Sequence, residues 1–179
     1  GQLFADFYKD VLRYVPERKS WFYYNGIVWE QDIGCTKTME LCKDFARNLC
    51  IYGLSIEDEQ RREGYVKFCN RWQARKMRET VIRDAQSVHT ISMEEFDTDP
   101  YIFNCKNGTL HLKTMECTPH RPEDKLTKYS EVEYDPNARC ERFERFMVEI
   151  TKGDQEKAKF LQKVLGYGLS GDTRFECMF

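Results

Sequence analysis

No glycine-rich phosphate loop occurs in this sequence: it has neither a G-x-x-x-x-G-K-[ST] run nor a G-x-S-x-G. P-loop nucleotide hydrolysis and nucleophile-elbow chemistry therefore lack their signature residues. There is no apolar run of about 18 residues and no secretory apolar core, so no membrane-spanning helix is expected. None of the eight cysteines forms a C-x-x-C, the spacing of zinc ribbons and thioredoxin-type motifs. Several of them (Cys35, Cys42, Cys50, Cys69, Cys105, Cys117, Cys140, Cys177) fall on apolar faces of predicted helices, where a reduced thiol acts as a small hydrophobe. That usage points to a reducing, cytoplasmic compartment. No residues assemble a nucleophile, a base and an oxyanion donor, so this stretch is not expected to be a complete enzyme.

What is present is a 179-residue chain, long enough for one domain or for one compact domain with small satellites. At that size roughly 70% of the unfolded surface can be buried. The net charge is −2, but residues 61–83 carry eight basic side chains against two acidic ones. That window is +6 and the remainder is −8, an asymmetry that suits a polyanionic partner.

Along the chain, Leu3, Phe7, Val11 and Tyr14 recur at helical spacing, predicting one helix over 2–14 closed by Pro16. Two β-rich runs around Asn25-Gly26 (Trp21 to Trp29) predict a hairpin. Helical period returns over 38–51, with Gly53 as its terminator. Ser55 reads as the next N-cap. The basic segment then forms one long helix or two shorter ones. One stripe is Tyr65, Phe68, Cys69 and Trp72; the other is Met77, Val81, Ala85 and Val88. Ser92-x-x-Glu95 reads as a capping box and residues 97–100 as a turn. A second hairpin spans 101–112 around Asn107-Gly108, and a third extended run covers 126–134. Two helices follow, one with Phe143, Phe146, Met147 and Ile150 inward, the other with Phe160, Leu161, Val164 and Leu165 apolar. The expected class is α+β, a mostly helical body with small antiparallel hairpins.

The basic stretch is the binding candidate. Lys67, Arg71, Arg75, Lys76, Arg78 and Arg83 can neutralise phosphates and release counterions. Arg71, Arg75 and Arg78 are spaced so that a single helix would present them together. The competing reading makes the aromatic stripe core and the arginines a solvated face. Asp97 and Asp99 form an Asp-x-Asp that could hold metal ions for nucleotidyl transfer; Pro100 and the flanking residues favour an Asx-type turn instead. A zinc site from Cys105, His111, Cys117 and His120 is disfavoured. With Asn107-Gly108 as the turn, Cys105 and His111 point to opposite faces, and Cys117 with His120 supplies too few ligands. No metal site is expected.

Gly166, Gly168, Gly171 and Asp172 at the end of the last helix read as a sharp turn. Phe175, Cys177, Met178 and Phe179 then read as the beginning of a buried strand whose domain lies beyond.

The order of these motifs resembles a known family. It runs Trp21, Asn25-Gly26 and Trp29; Phe96-Asp97 and Pro100; Asn107-Gly108-Thr109-Leu110; Lys125-Leu126-Thr127-Lys128; Tyr134-Asp135-Pro136; Phe143 and Phe146; and Leu165 through Asp172. This is similar to the helicase-associated N-terminal domain of phage- and plasmid-type primase–helicases, the group that includes the poxviral enzyme. Ser170 stands where that family usually has Thr, which keeps the hydroxyl. The resemblance implies an N-terminal helix ending a preceding linker (1–16), a collar-like linking domain (17–172) and the first strand of a superfamily 3 AAA+ ATPase domain (173–179). It implies a non-catalytic linking, oligomerisation and DNA-engaging role in replication, within a parent primase or ATP-dependent helicase. ATP and Mg belong to the domain downstream. The implied partners are single-stranded or forked DNA and further subunits of a ring, in the cytoplasm of a bacterial host carrying a phage, prophage or plasmid. Gly166, Gly168, Gly171 and Asp172 would form the interdomain hinge. Two other readings compete: an autonomous phage DNA-binding regulator, which needs a helix-turn-helix and usually a dimer, and a primase catalytic core using Asp97 and Asp99.

Overall fold

Residues 1–174 are described by a computed structural model, and half of them are helical. Two three-stranded antiparallel sheets complete an α+β fold. The expected last strand, 175–179, lies outside the described residues. Contacts divide the chain into two units, Gly1–Phe96 and one that begins at Asp97.

The first unit opens with α1 (Gln2–Phe7), then β1 (Leu12–Val15), β2 (Ser20–Tyr24) and β3 (Trp29–Gln31), in sheet order β1-β2-β3. The single helix predicted over 2–14 is therefore corrected. The predicted face is the exposed one, with Leu3 61% and Phe7 60% accessible, while Phe4, Leu12 and Val15 are buried. Pairing of Leu12 with Tyr23 and of Val15 with Ser20 draws the second half into the sheet. Long-range pairing here outweighs local period. The hairpin around Asn25-Gly26 is present, with Tyr24 opposite Trp29. The Asn25 side-chain carbonyl accepts from the N–H groups of Ile27 (2.8 Å) and Val28 (2.9 Å), and Gly26 supplies the positive φ of +102° that the turn requires.

Three helices follow: α2 (Thr36–Leu54), α3 (Glu59–Asn70) and α4 (Arg75–Ala85). Gly53 does not end α2. It lies inside the helix where α3 crosses, and a Cβ there would meet a Tyr65 ring carbon at 2.7 Å. Because α2 runs on to Leu54, Ser55 sits at its C-terminal end and donates to the Tyr52 carbonyl. The N-cap of α3 is Asp58, which accepts from the Arg61 N–H at 2.7 Å. The basic segment is two helices, parted by a 3₁₀ turn at Arg71–Gln73 and an extended Ala74. Phe45 of α2 anchors the core: its ring lies 5.7 Å from Phe4, 5.4 Å from Phe7 and 5.6 Å from Trp72, centroid to centroid. A second cluster joins Val15, Phe22, Trp29, Ile91 and Phe96. The capping box at Ser92 and Glu95 is formed.

The second unit holds β4 (Ile102–Cys105), β5 (Gly108–His111) and β6 (Glu116–Thr118), in that sheet order. The hairpin is where the sequence puts it, but its register is one residue off the expectation. Cys105 faces Gly108 and Ile102 faces His111, so the turn is Lys106-Asn107. Asn107 is recruited elsewhere: its side chain donates to the Tyr134 carbonyl and accepts from the Tyr134 N–H, both at 2.9 Å. Gly108 sits in the strand because β6 passes close, and a Cβ there would lie 2.6 Å from the Thr118 carbonyl oxygen.

The extended run over 126–134 forms no regular strand. It follows the outer edge of β4 instead, through Ser130 N–H to the Asn104 carbonyl (2.8 Å), Lys106 N–H to the Val132 carbonyl (3.0 Å) and the Asn104 amide to the Lys128 carbonyl (3.1 Å). Two helices close the unit, α5 (Glu141–Ile150) and α6 (Gln155–Gly168), the latter capped by Asp154. Phe143, Phe146 and Ile150, expected inward, are about half exposed, as are Phe160 and Leu165. Helical period identifies which face is apolar; it does not supply a cover for that face.

Candidate nucleic-acid interface

A groove of about 570 Å³ runs between the first half of α2 and α4. Glu40 and Lys43 line one wall; Arg75, Arg78, Glu79 and Arg83 line the other. The start of α2 is fixed from beneath by Asp32, which is 3% exposed. One Asp32 oxygen accepts from the Lys37 N–H at 3.0 Å, and the other accepts from the Thr38 N–H and hydroxyl at 2.7 Å each. α4 is held by Val81, Ile82 and Ala85, all buried in the first core. Their spacing turns Arg75, Arg78 and Arg83 toward the groove.

Four basic side chains meet two carboxylates here. Lys43 contacts Glu40 at 2.5 Å, and Arg75 contacts Glu79 at 2.8 Å across one helical turn. The Lys43 ammonium holds the Glu40 carboxyl below its ordinary range, with help from the charge of Arg78. Both pairs are solvent-exposed, a class that contributes little to stability. A phosphate can displace such partners. Arg78 is more constrained: one guanidinium nitrogen donates to the Trp72 carbonyl (2.8 Å) and to the Gln73 carbonyl (2.6 Å), tying α4 to the preceding turn. Among the described residues the Arg83 side chain has no ion-pair partner. No aromatic side chain lines the groove. It can therefore grip a phosphodiester backbone but offers no stacking platform for bases.

The other expected residues fall elsewhere. Arg71 lies in the 3₁₀ turn, so the three arginines do not share one helix. Lys67 is exposed on α3, and Lys76 is exposed on α4 outside the groove lining. Of the aromatic stripe, Cys69 and Trp72 are core and Phe68 is 46% exposed. Lys43 escaped the sequence reading. It lies in a helix of mixed charge, three basic residues to two acidic, and only the packing of α2 on α4 brings it to the arginines.

In the second unit, Gly166 and Gly168 belong to the last turns of α6, so the sharp turn read there from the sequence begins only at Leu169. Gly171 and Asp172 follow in non-helical chain. Asp97 has a positive φ of +52° and accepts from the Thr127 N–H (2.8 Å) and hydroxyl. Asp99 accepts from the Tyr101 N–H at 2.9 Å, an Asx turn. The His111 ring contacts the Thr118 hydroxyl, and the His120 ring contacts the Lys106 carbonyl, each at 3.3 Å. Among the described residues no three His, Cys, Asp or Glu side chains are grouped as a metal site would need, the cysteines are free, and no helix is long and apolar enough to cross a membrane.

A family model described as "D5 N terminal like" matches residues 1–152. No curated protein matches the chain. The order of motifs from Trp21 onward, the α+β fold and a match over most of the length agree: the chain belongs to the D5 N-terminal-like family, the domain that precedes the superfamily 3 helicase in phage- and poxvirus-type primase–helicases.

Proposed function

We propose that this domain engages DNA through the α2–α4 groove and links subunits of a replicative primase–helicase through the apolar face of α5 and α6. The domain itself performs no chemistry; ATP and Mg act in the ATPase domain that follows it in such proteins. The observation that carries the DNA reading is the convergence of Lys43, Arg75, Arg78 and Arg83 on one groove, with only weak, exposed carboxylate partners in the way. With no aromatic in the groove, the contact is to phosphates and is independent of sequence. This separates the reading from an operator-reading regulator.

The test is anisotropy of a labelled single strand over a salt series, comparing the wild type with Lys43→Glu/Arg83→Glu. Both positions are solvent-facing, so folding is unaffected. Removing two phosphate contacts should weaken binding at least about tenfold and flatten the log–log salt slope by about 1.4. Unchanged affinity and slope in a folded variant would sink the proposal.

The linking role rests on Phe143, Phe146 and Ile150 of α5 and Phe160 and Leu165 of α6, with Leu169 just beyond, each about half exposed. Exposed apolar faces of this kind mark interaction sites. α5 carries Glu141, Glu144 and Glu149 with Arg142 and Arg145, and α6 carries Lys157, Lys159 and Lys163 with Glu156, so both signs are at hand for contact with a second copy. Light scattering of the full-length protein with ATP and DNA should show an oligomer that Phe146→Asp/Phe160→Asp converts to monomer. A strictly monomeric wild type under those conditions refutes it.

A further inference from the structure

The stretch after α6 is tied down by its own side chains. The Gly171 N–H donates to the Pro100 carbonyl at 2.8 Å, and a Cβ on Gly171 would lie 3.3 Å from the Pro100 Cα. A side chain there would have to push Pro100 back by a few tenths of an ångström. One residue on, the Asp172 carboxylate accepts from the Tyr101 hydroxyl at 2.5 Å. It also accepts from Arg174, through Nε at 2.9 Å and through Nη2 at 2.6 Å. The same Nη2 donates to the Tyr101 oxygen at 2.7 Å, closing a triangle. The Lys113 ammonium sits over the Tyr101 ring, 3.9 Å from its centre. The Asp172 side chain is only 7% exposed although Arg174 is open to solvent. The Arg174 guanidinium, with the Tyr101 hydroxyl, holds the Asp172 carboxyl well below the usual carboxylate range, and the Asp172 carboxylate in turn pushes the Tyr101 hydroxyl up. In a closed triangle each partner fixes the geometry of the other two, which sets it apart from a lone surface ion pair.

We propose that Tyr101, Asp172 and Arg174 form a latch that fastens the chain leaving α6 to the start of β4. Residues 171–174 are then a rigid exit from the second unit. The orientation of whatever chain follows is set by β4, and a pull on that chain is felt at β4 before the glycines can absorb it. The latch uses no residue of the α2–α4 groove and no side chain of the exposed α5–α6 face, so it stands or falls separately from both.

Trypsin cleavage after Arg174 in the full-length protein, read beside hydrogen exchange of the same segment, tests this. Tyr101→Phe keeps the ring under Lys113 and removes only the hydroxyl; Asp172→Asn removes the charge that holds Arg174. Each should speed cleavage after Arg174 about tenfold or more and raise amide exchange over 171–174 to match, with β4 and β5 still protected. Unchanged cleavage and exchange in both variants overturns the latch. A rise spread evenly over β4 and β5 also overturns it, because the triangle would then be one more fold contact.

Discussion

Phe45→Ala is expected to lower the stability of the first unit by about 3–5 kcal/mol. The residue is 2% exposed and sits mid-way along α2. Its ring is met edge-on or tilted by Phe4, Phe7, Tyr8 and Trp72. Truncation thus removes a large apolar transfer term and leaves a cavity walled by rings that belong to other elements. Those walls cannot collapse easily, since α1 is held through Phe4, and Trp72 lies in the short turn that orients α4. Urea unfolding of wild type and variant gives the answer: the midpoint should fall while the slope stays the same. A loss below about 1 kcal/mol would mean that the cluster repacks freely, against the close packing expected of such a core.

Asp32→Ala should cost about 3–4 kcal/mol, more than an ordinary helix cap. The carboxylate is almost fully buried and serves three donors of Lys37 and Thr38, with the Thr36 hydroxyl at 3.3 Å as a fourth. Thr38 is itself fully buried, so its N–H and hydroxyl would be left without acceptors in a dry interior. The negative charge also faces the positive end of α2, a favourable placement. Asp32→Asn keeps one acceptor oxygen and should recover roughly half of the loss. Thermal unfolding of the three proteins orders them. An alanine variant within about 0.5 kcal/mol of wild type would show that water has replaced the carboxylate. Because Asp32 also sets the wall of the groove that carries Lys43, the alanine variant should bind DNA more weakly even where it is folded.

Local signals carried far along this chain, and their limits are physical. Asn25-Gly26 and Ser92-x-x-Glu95 act within four residues: the capping box formed as read, and the hairpin formed with a four-residue loop, Asn25 to Val28, in place of the two-residue turn. Asn107-Gly108 carries an equally strong hairpin signal, yet its register moved by one. The Asn107 side chain is claimed by Tyr134, and Gly108 is claimed by the approach of β6. Neither demand is visible within the turn itself. The helix read over 2–14 failed for the same reason: β2 offered Leu12 and Val15 a ladder and a core that helical spacing could not foretell. In the groove, Arg75, Arg78 and Arg83 were legible as a basic run. Lys43 was hidden because the contact of α2 with α4 spans some thirty residues of chain. The period of α5 found its apolar side correctly but could not say that this side would be left open.

Residues 126–134, laid along the outer edge of β4, also close that edge. Their backbone occupies the β4 side of the second sheet, and the opposite side ends on β6, a strand of three residues with Pro119 directly after it. A short edge stopped by proline offers little to an incoming strand, and an occupied edge offers less. The sheet is thus sealed against growth at both margins. Strand addition to this sheet is a closed route. A neighbour that meets this unit through its helices can part from it without unravelling a sheet.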